Sequence, residues 1–214
     1  AYGLELMSDE ERMRFRSFEH ERDAQAYAAG HVGLREALSE RDDATTPGNW
    51  RFERRPDAGT AAIAPTGRAF GVGSSRAGGF AAFAIADTFA FGIDAVDVGG
   101  ADWEAIGREF FAEPERDALA NLEPKERPRT AARFWALKES FAKATGRGVD
   151  DEFAAWSFAS ASQVRRRFPD WTFWSSVVRD ELEDGERVVV LACAARSADL
   201  EVFVQSVRRV GHPA

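Results

Sequence analysis

The segment FWALKESFAKATGRG, residues 134–148, constrains the fold most, because helical periodicity and reactive side chains fall on the same few turns. From Phe134 to Ala144, apolar residues recur at the spacing that places them on one buried stripe of a helix. Gly146 and Gly148 follow at once, as is typical where a helix ends in a left-handed residue and the chain turns away. The segment therefore predicts a long amphipathic helix that ends near Gly146.

A row of three side chains runs beside the apolar stripe of this predicted helix. Trp135, Glu139 and Lys143 recur at i, i+4 and i+8, so a carboxylate and an ammonium share one edge. One interpretation is a solvated ion pair that contributes about 0.2–0.5 kcal/mol to helix stability. The other is a reactive site. The spacing alone favours the solvated pair, because such pairs are common on helices, so other motifs must decide.

The overall charge of the chain limits its partners. Its 214 residues include 28 Lys and Arg against 36 Asp and Glu, a net charge of −8. This balance argues against non-specific nucleic-acid binding, so any bound anion requires a local cluster of basic residues. No apolar stretch of the sequence approaches the roughly 20 residues that span a bilayer. We therefore expect a cytoplasmic protein that binds neither nucleic acid nor membrane.

The cysteine and histidine residues give no sign of a redox or zinc site. Cys193 is the only cysteine, and its apolar surroundings, VVVLACAA, predict a buried position without an intramolecular disulfide. His20, His31 and His212 lack the spacing of metal ligands, and no cysteine lies near them in the sequence.

The N-terminal part predicts two helices. Ser8, with Glu11 three residues later, fits a capping box, and the short helix that follows is expected to turn Met13 inward, with Phe15 or Phe18 as further candidates. A second helix is expected over residues 21–40. Within it Gly30 costs about 1 kcal/mol relative to alanine, unless another element packs closely there.

Short strands are expected next. Residues 50–54 alternate large apolar with charged side chains, as a half-buried strand does. The Gly-, Ala-, Pro- and Ser-rich segment 55–79 predicts loops around at most one short strand near Phe70. Residues 80–87 are apolar enough for a buried strand, and the stretch FGIDAVD that follows places one early acid in a strand-like setting.

The remainder predicts helices followed by strands. Asp102 fits the N-cap of one helix and Pro114 the first turn of the next, and the long helix described above is expected to start near Arg129. The strands expected after it are 153–158, 171–178, 187–195 and 201–207, with a hairpin turn at 183–186. This order predicts an α+β fold of two similar-sized halves, residues 1–88 and 89–214, each a short sheet packed with helices.

Two separated motifs agree with one enzyme family. GID at 92–94, followed about 40 residues later by WALKESFAKATGRG at 135–148, resembles the Sfp-type 4′-phosphopantetheinyl transferases, in which a G-(I/V)-D strand precedes a W-x-x-K-E-(A/S)-x-x-K-x-x-G helix. RDAQAYAAGHVGLR at 22–35 and WRFERR at 50–55 are similar to the family's N-terminal helix and following strand. The resemblance covers nearly the whole chain, looks nearest to the animal aminoadipate-semialdehyde dehydrogenase phosphopantetheinyl transferase type, and implies two pseudo-symmetric halves.

The resemblance implies a holo-[acyl-carrier-protein] synthase, which moves the phosphopantetheine arm of coenzyme A onto a serine of an apo acyl or peptidyl carrier protein and releases 3′,5′-ADP, with Mg²⁺ on the pyrophosphate. Asp94 and Glu139 match the family's metal carboxylates. Glu139 also matches the group that accepts the serine proton, and Lys143 would neutralise or protonate the departing phosphate. Lys138 lies about 100° round the helix from Glu139, so it is ranked below Lys143.

Further residues are expected to contact the phosphates of coenzyme A. Arg35 falls on the family's basic position in the first half, and a solvated helix charge is an equal alternative for it. Arg54, or its neighbour Arg55, could reach the nucleotide phosphates. Ser75 matches the serine of the family's N-x-S-H motif, and Arg76 stands where its histidine would be. Arginine can also pair with a phosphate through two hydrogen bonds.

The chain departs from the family pattern at three places. Val96 replaces the usual glutamate two residues after Asp94, and Mg²⁺ can keep waters instead of that ligand. Arg76 replaces the motif histidine. Residues 59–61 stand where a G-K-P motif would supply a lysine, for which Arg68 could substitute. These losses leave open a second hypothesis, a non-catalytic relative that binds coenzyme A or a carrier protein without transfer.

A carrier partner would need a locally basic or apolar surface, because carrier domains are typically acidic around their serine. Arg165-Arg166-Arg167 is the densest basic run, and a solvated loop is equally compatible with it. Because a single chain of this family usually supplies the whole site, we expect a monomer.

Overall fold

The computed structural model describes residues 3–56, 58–77, 80–182 and 185–197 of the chain. Its helices are α1 (Asp9–Arg16), α2 (Glu21–Arg41), α3 (Trp103–Phe110), α4 (Glu113–Ala120), α5 (Arg127–Thr145) and α6 (Ala161–Arg167). Its strands are β1 (Arg51–Arg54), β2 (Thr60–Ile63), β3 (Ala69–Ala77), β4 (Phe80–Ala86), β5 (Phe91–Asp97), β6 (Thr172–Leu182) and β7 (Gly185–Ala195). No helix within the described ranges is long and apolar enough to cross a membrane.

The helix termini follow the local rules of capping. Ser8 and Glu11 form the predicted capping box at α1, with the Ser8 amide 2.8 Å from Glu11 Oε2. Asp102 caps α3 by accepting hydrogen bonds from two backbone amides, and Pro114 occupies the first turn of α4. Helix α5 ends at Gly146, whose φ of 71° is left-handed. All four features confirm the sequence predictions.

The first half contains an antiparallel sheet of order β1-β2-β3-β4, against which α2 packs. Leu38 of α2 lies in one core cluster with Trp50 and Phe70. Strand β4 packs on α2 at Gly30, where an added Cβ would lie 3.4 Å from that of Ala81, an ordinary van der Waals contact. Another element therefore lies against this glycine, at a distance that alanine would also allow.

The prediction of loops over residues 55–79 is wrong, because β2 and β3 lie in this segment and pair with each other. Its small residues allow backbone segments to approach, rather than marking loops. A Cβ at Gly71 would lie 1.8 Å from the carbonyl oxygen of Thr88. The inward orientation predicted for Met13 is also wrong, since its exposed fraction is 64%.

Helix α1 turns a carboxylate toward α2 instead of a methionine. Glu11 is buried, and its Oε2 lies 2.9 Å from Arg35 Nη2. Its Oε1 lies 3.0 Å from His31 Nδ1. The contact between the two helices is therefore held partly by an ion pair, a kind of packing that an apolar pattern does not indicate.

The second half contains an antiparallel sheet of order β5-β7-β6, with α5 across one face. Phe141 of α5 is the centre of an aromatic cluster, with ring centroids 4.7–5.6 Å from those of Trp156, Phe168, Trp171 and Phe173. The predicted strands at 171–178 and 187–195 are confirmed as β6 and β7. Part of the predicted turn at 183–186, and the whole predicted strand at 201–207, lie outside the described residues.

The strand predicted at 153–158 is wrong. A short 3₁₀ turn, Phe153–Ala155, stands in its place. Phe153, Trp156 and Phe158 all enter the same core cluster, whereas a strand would send successive side chains to opposite faces. An apolar run of this length does not by itself distinguish a strand from a buried turn.

The two sheets meet where β4 passes into β5 through residues 87–90. A Cβ at Gly73 of β3 would lie 2.7 Å from Ile93 Cγ2 of β5, so the strands touch closely. Cys193 is buried in the same contact, as predicted. The α+β architecture of two halves, each a short sheet packed with helices, is confirmed. The domain boundary after residue 88 falls in this link and stays a prediction.

Candidate active site

Gly92 allows α5 to lie directly against β5. A Cβ at this position would lie 2.3 Å from the carbonyl oxygen of Ser140 and 2.6 Å from the backbone nitrogen of Ala144. Any larger residue would push the helix away. Asp94, two residues on, faces the same side of β5, so its carboxylate meets the last turns of α5. The GID motif and the helix motif are therefore joined by backbone contact.

Asp94 lies between the two halves of the molecule. Lys143 Nζ is 2.6 Å from Asp94 Oδ1. Ser75 Oγ, from β3 of the first half, donates a hydrogen bond to the same oxygen at 2.9 Å. The side chain of Asp94 is 8% exposed, and that of Lys143 is 39% exposed. The ion pair of Lys143 is thus formed with Asp94, rather than one helical turn away with Glu139.

Both carboxylates of the site have raised pKa values, with burial as the largest cause. Burial raises the pKa of Asp94, and the charge and hydrogen bond of Lys143 oppose this only in part. Burial also raises the pKa of Glu139, and the negative charge of Asp94 raises it further. Two partly desolvated carboxylates therefore face one ammonium, an arrangement that favours additional positive charge.

Two cavities adjoin this cluster and share Ser75, Arg76 and Lys143 in their walls. The first, here called the cationic cavity, has a volume of about 310 Å³ and is lined further by Tyr27, Gly30, His31, Ser74, Ala81 and Ala82. The second, here called the carboxylate cavity, has a volume of about 640 Å³ and is lined further by Ala77, Asp94, Ala95, Val96, Asp97, Gly100, Ala101, Trp103, Ile106, Trp135 and Glu139.

The two cavities differ in charge. Among the described residues no carboxylate lines the cationic cavity, whereas two permanent cations do. The guanidinium of Arg76 lies over the rings of Phe18 and Tyr27, 4.8 and 5.1 Å from their centroids, and these contacts hold it at the wall. Three carboxylates line the other cavity. An anion therefore fits the first cavity and a cation the second, with Lys143 at their border.

The structure brings together five of the seven predicted site residues: Ser75, Arg76, Asp94, Glu139 and Lys143. Trp135 lines the same cavity and also contacts Phe110 edge-on, so it both packs and faces the site. The helical row beside the apolar stripe is thus part of a cavity wall, and the interpretation as a solvated surface pair is wrong.

Arg35 is not in this group. Its exposed fraction is 2%, its Nη1 donates to the carbonyl of Trp50 at 2.8 Å, and its Nη2 pairs with Glu11. The alternative of a solvated helix charge is therefore wrong. A phosphate could reach this guanidinium only by displacing its partners, so the phosphate contact stays a prediction without support from the geometry.

Arg54 also lies apart from the cluster. It is exposed at the end of β1, and the sheet register aligns it with Thr60 and Val72, two strands away from β3. Strand spacings place it roughly 14 Å from Ser75, a distance that only an extended ligand would span. Arg68 pairs with Asp42 at 3.6 Å and lies toward the opposite end of β3 from Ser75.

Lys138 is a structural residue. Its side chain and that of Glu115 in α4 are both 0% exposed, with Nζ 3.1 Å from Oε2. Lys138 also donates to the carbonyl oxygens of Phe153 and Trp156. Glu115 accepts hydrogen bonds at 2.9 Å from the amides of Ala112 and Phe158. This ion pair fixes α5 to α4 and to the turn at 153–158.

Sequence reasoning did not find the residues that α2 contributes. Tyr27 and His31 line the cationic cavity, with ring centroids 4.2 Å apart. A lone histidine on a helix carries no spacing signal, and the glycine at position 30 was the one sign of close packing there. Within the described ranges, no group of three or more His, Cys, Asp or Glu side chains is placed to hold a metal ion.

Two comparisons with known proteins point to one enzyme superfamily. Residues 90–192 match the model of the 4′-phosphopantetheinyl transferase superfamily. A protein of Synechocystis sp., named provisionally as a 4′-phosphopantetheinyl transferase, is 24% identical over 145 residues, which cover 67% of this chain and 58% of that protein. The chain thus spans less than two thirds of that relative's length. Both matches support the superfamily, and the matched segment contains Asp94, Glu139 and Lys143.

Proposed function

We propose, from the superfamily that these comparisons support, that the protein transfers the 4′-phosphopantetheine arm of coenzyme A to a serine of an apo carrier protein and releases 3′,5′-ADP. The observation that carries the proposal is the convergence of Asp94, Glu139 and Lys143 at the border of an anion-fitting and a cation-fitting cavity. The charge of the cationic cavity suits phosphate groups, and the charge of the carboxylate cavity suits a divalent cation.

The residues present fit a magnesium ion. Asp94 and Glu139 offer carboxylate oxygens, and Mg²⁺ usually takes one or two carboxylates together with waters and substrate phosphates. The raised pKa of Glu139, caused by burial and then by the charge of Asp94, indicates negative charge that one ammonium does not balance. When bound, the ion would neutralise charge on the pyrophosphate.

Side chains of the protein would carry out the remaining steps of the transfer. Glu139 would accept the proton of the carrier serine, for which a raised pKa makes a carboxylate better suited. The serine oxygen then forms a bond to the β-phosphorus, and the anhydride bond to the α-phosphate of 3′,5′-ADP breaks. Lys143 would hold the departing phosphate, and Ser75 and Arg76 would orient the pyrophosphate between the cavities.

The finer parts of the proposal rest on motif spacing and on the placement of the site. The GID and W-x-x-K-E motifs support the Sfp type, nearest the animal aminoadipate-pathway kind, and a holo-[acyl-carrier-protein] synthase activity. Both halves of one chain supply site residues, which supports a monomer. We place this monomer in the cytoplasm.

The direct test is incubation with coenzyme A, Mg²⁺ and a panel of apo carrier proteins, followed by mass spectrometry. At least one carrier should gain the arm. If none does while an established transferase modifies the same panel, the proposal fails.

Matched variants test the assigned roles. Glu139→Gln and Lys143→Ala should each lower turnover by about a hundredfold or more and leave the far-ultraviolet circular dichroism unchanged. Glu104→Gln and Lys125→Ala, at exposed positions, are the controls and should retain full activity. Full activity in either site variant would remove that residue from the mechanism.

One observation favours a second candidate, a protein that binds coenzyme A or a carrier protein without transfer. Arg76 stacks on Phe18 and Tyr27 and stays charged, so it suits static anion binding. Titration calorimetry that finds coenzyme A binding in a protein without transfer to any carrier would support this candidate over the enzyme.

A further inference from the structure

We infer that His31 binds a phosphate group in the cationic cavity, as its imidazolium, and that Glu11 holds it in place. This inference rests on the proposed function, because it names one more residue for the nucleotide end of coenzyme A. His31 lies on α2 and lines the cavity together with Ser75, Arg76 and Lys143. Three potential cations from three different elements thus surround one space that, in the described residues, has no carboxylate in its wall.

The imidazole is oriented by a carboxylate that is itself fixed. Nδ1 of His31 lies 3.0 Å from Glu11 Oε1. The other oxygen of Glu11 accepts from the Ser8 amide at 2.8 Å and from Arg35 Nη2 at 2.9 Å. Tyr27, one helical turn before His31, covers one side of the ring at a centroid distance of 4.2 Å. The ring has little freedom to turn, so Nε2 is the nitrogen left for a ligand in the cavity.

This geometry makes phosphate binding depend on a proton. In a neutral imidazole that donates Nδ1–H to Glu11, Nε2 carries a lone pair, which repels a phosphate oxygen. In the imidazolium both nitrogens donate, and Nε2–H can bind the phosphate while Nδ1–H keeps its contact with Glu11. Among the described residues, Glu11 and Tyr27 contact this ring, Arg35 pairs with Glu11, and Arg76 and Lys143 line the same cavity. A phosphate that binds at Nε2 therefore selects the imidazolium form of His31.

Calorimetric titration of the full chain with 3′,5′-ADP tests the inference, without Mg²⁺ and without a carrier. At about pH 6 the wild-type protein should bind this nucleotide more tightly than at about pH 8, since imidazoles ordinarily lose their proton between those values. His31→Gln should weaken binding about tenfold or more at the lower pH and remove the His31 part of the pH dependence. His31→Arg should restore binding at both pH values, because its charge is permanent.

His20→Gln is the matched control. His20 is exposed at the start of α2 and makes no capping hydrogen bond through its side chain, so this variant should behave as the wild type does. If His31→Gln binds 3′,5′-ADP with the same affinity and pH dependence as the wild type, while the wild type still transfers the arm, only the role of His31 is refuted. If the folded wild-type protein binds no 3′,5′-ADP and transfers no arm, both the inference on His31 and the proposed function fail.

A measurement on the wild-type protein alone covers the case in which a His31 variant does not fold. In a nuclear magnetic resonance titration near neutral pH, saturating 3′,5′-ADP should move the His31 imidazole resonances toward imidazolium values and leave those of His20 unchanged. His31 resonances that stay in place at saturation would overturn the inference.

Discussion

The buried pair of Glu115 and Lys138 allows a sharp test of what holds α5 in position. Both side chains are fully buried, and two backbone carbonyls and two backbone amides complete their hydrogen bonds. Glu115→Gln removes the negative charge and leaves the ammonium of Lys138 in the core without an ionic partner. Lys138→Met removes the ammonium and leaves the carboxylate with its two amide donors.

The expected loss follows from the cost of leaving one charge alone. Breaking a buried pair by removing one partner typically costs about 3–5 kcal/mol, a large share of a total stability of about 5–15 kcal/mol. Glu115→Gln should lie in this range, and Lys138→Met toward its lower end, because the amides of Ala112 and Phe158 still support the carboxylate. The double variant leaves no charge and should lose only about 1–2 kcal/mol.

Urea unfolding followed by tryptophan fluorescence gives the required free energies. Trp156 is 1% exposed and accepts from Lys138 through its carbonyl, so it reports on this part of the core. The double variant should be more stable than either single variant by about 1–4 kcal/mol. Single variants that each lose less than about 1 kcal/mol, or a double variant whose loss equals their sum, would refute the reasoning. Glu123→Gln, at an exposed position, is the control and should change little.

Three further predictions concern other parts of the structure. Gly92→Ala should lower the melting temperature and the transfer rate together, because its Cβ would lie 2.3 Å from the carbonyl oxygen of Ser140 in α5. Gly48→Ala is the control and should change neither quantity much, because no atom lies within 4 Å of the added Cβ. A Gly92→Ala variant with unchanged melting temperature and transfer rate would contradict the close packing. Glu11 should stabilise the fold at neutral pH, because hydrogen bonds from His31 and Ser8 and the charge of Arg35 outweigh burial and lower its pKa from 4.5 to about 2. This contribution, up to about 3 kcal/mol, is fully present at pH values above the pKa of Glu11 in the unfolded chain and is lost as the pH falls toward its pKa in the folded protein. The difference in unfolding free energy between wild type and Glu11→Gln should therefore shrink in acid. A difference that does not depend on pH would contradict the prediction. Burial raises the pKa of Cys193 to about 11, so an aromatic disulfide reagent should label this thiol only after denaturation, and rapid labelling of the native protein would show that the contact between the sheets opens.

Several features of the site could be predicted because they depend on local rules. Helical spacing alone placed Trp135, Glu139 and Lys143 in one row, and the GID motif supplied Asp94 as a second carboxylate. All four of these residues line the carboxylate cavity. The roles assigned to them stay predictions until variants are measured.

Other features depend on contacts between distant segments and could not be predicted. Lys138 has the same local pattern as its neighbours on α5, but Glu115 and two carbonyls make it a buried residue. Arg35 was expected at a phosphate or in solvent, and it lies under α1 because Glu11 provides its partner there. Nothing in the spacing of His31 indicated a place in a cavity wall.

The sequence by itself determined helices α1 to α5, the caps at Ser8, Asp102 and Gly146, the motif pair at 92–94 and 135–148, and the acidic balance that requires any anion site to be locally basic. These depend on periodicity and on residues a few positions apart, which the chain fixes before it folds. Only the tertiary structure decided which charges are buried in pairs and which face a cavity. The physical reason is that the free energy of a charged side chain in the folded protein depends more on its burial and on its ion-pair and hydrogen-bond partners than on the residue type. Both the burial and the partners are provided by segments that are remote in sequence.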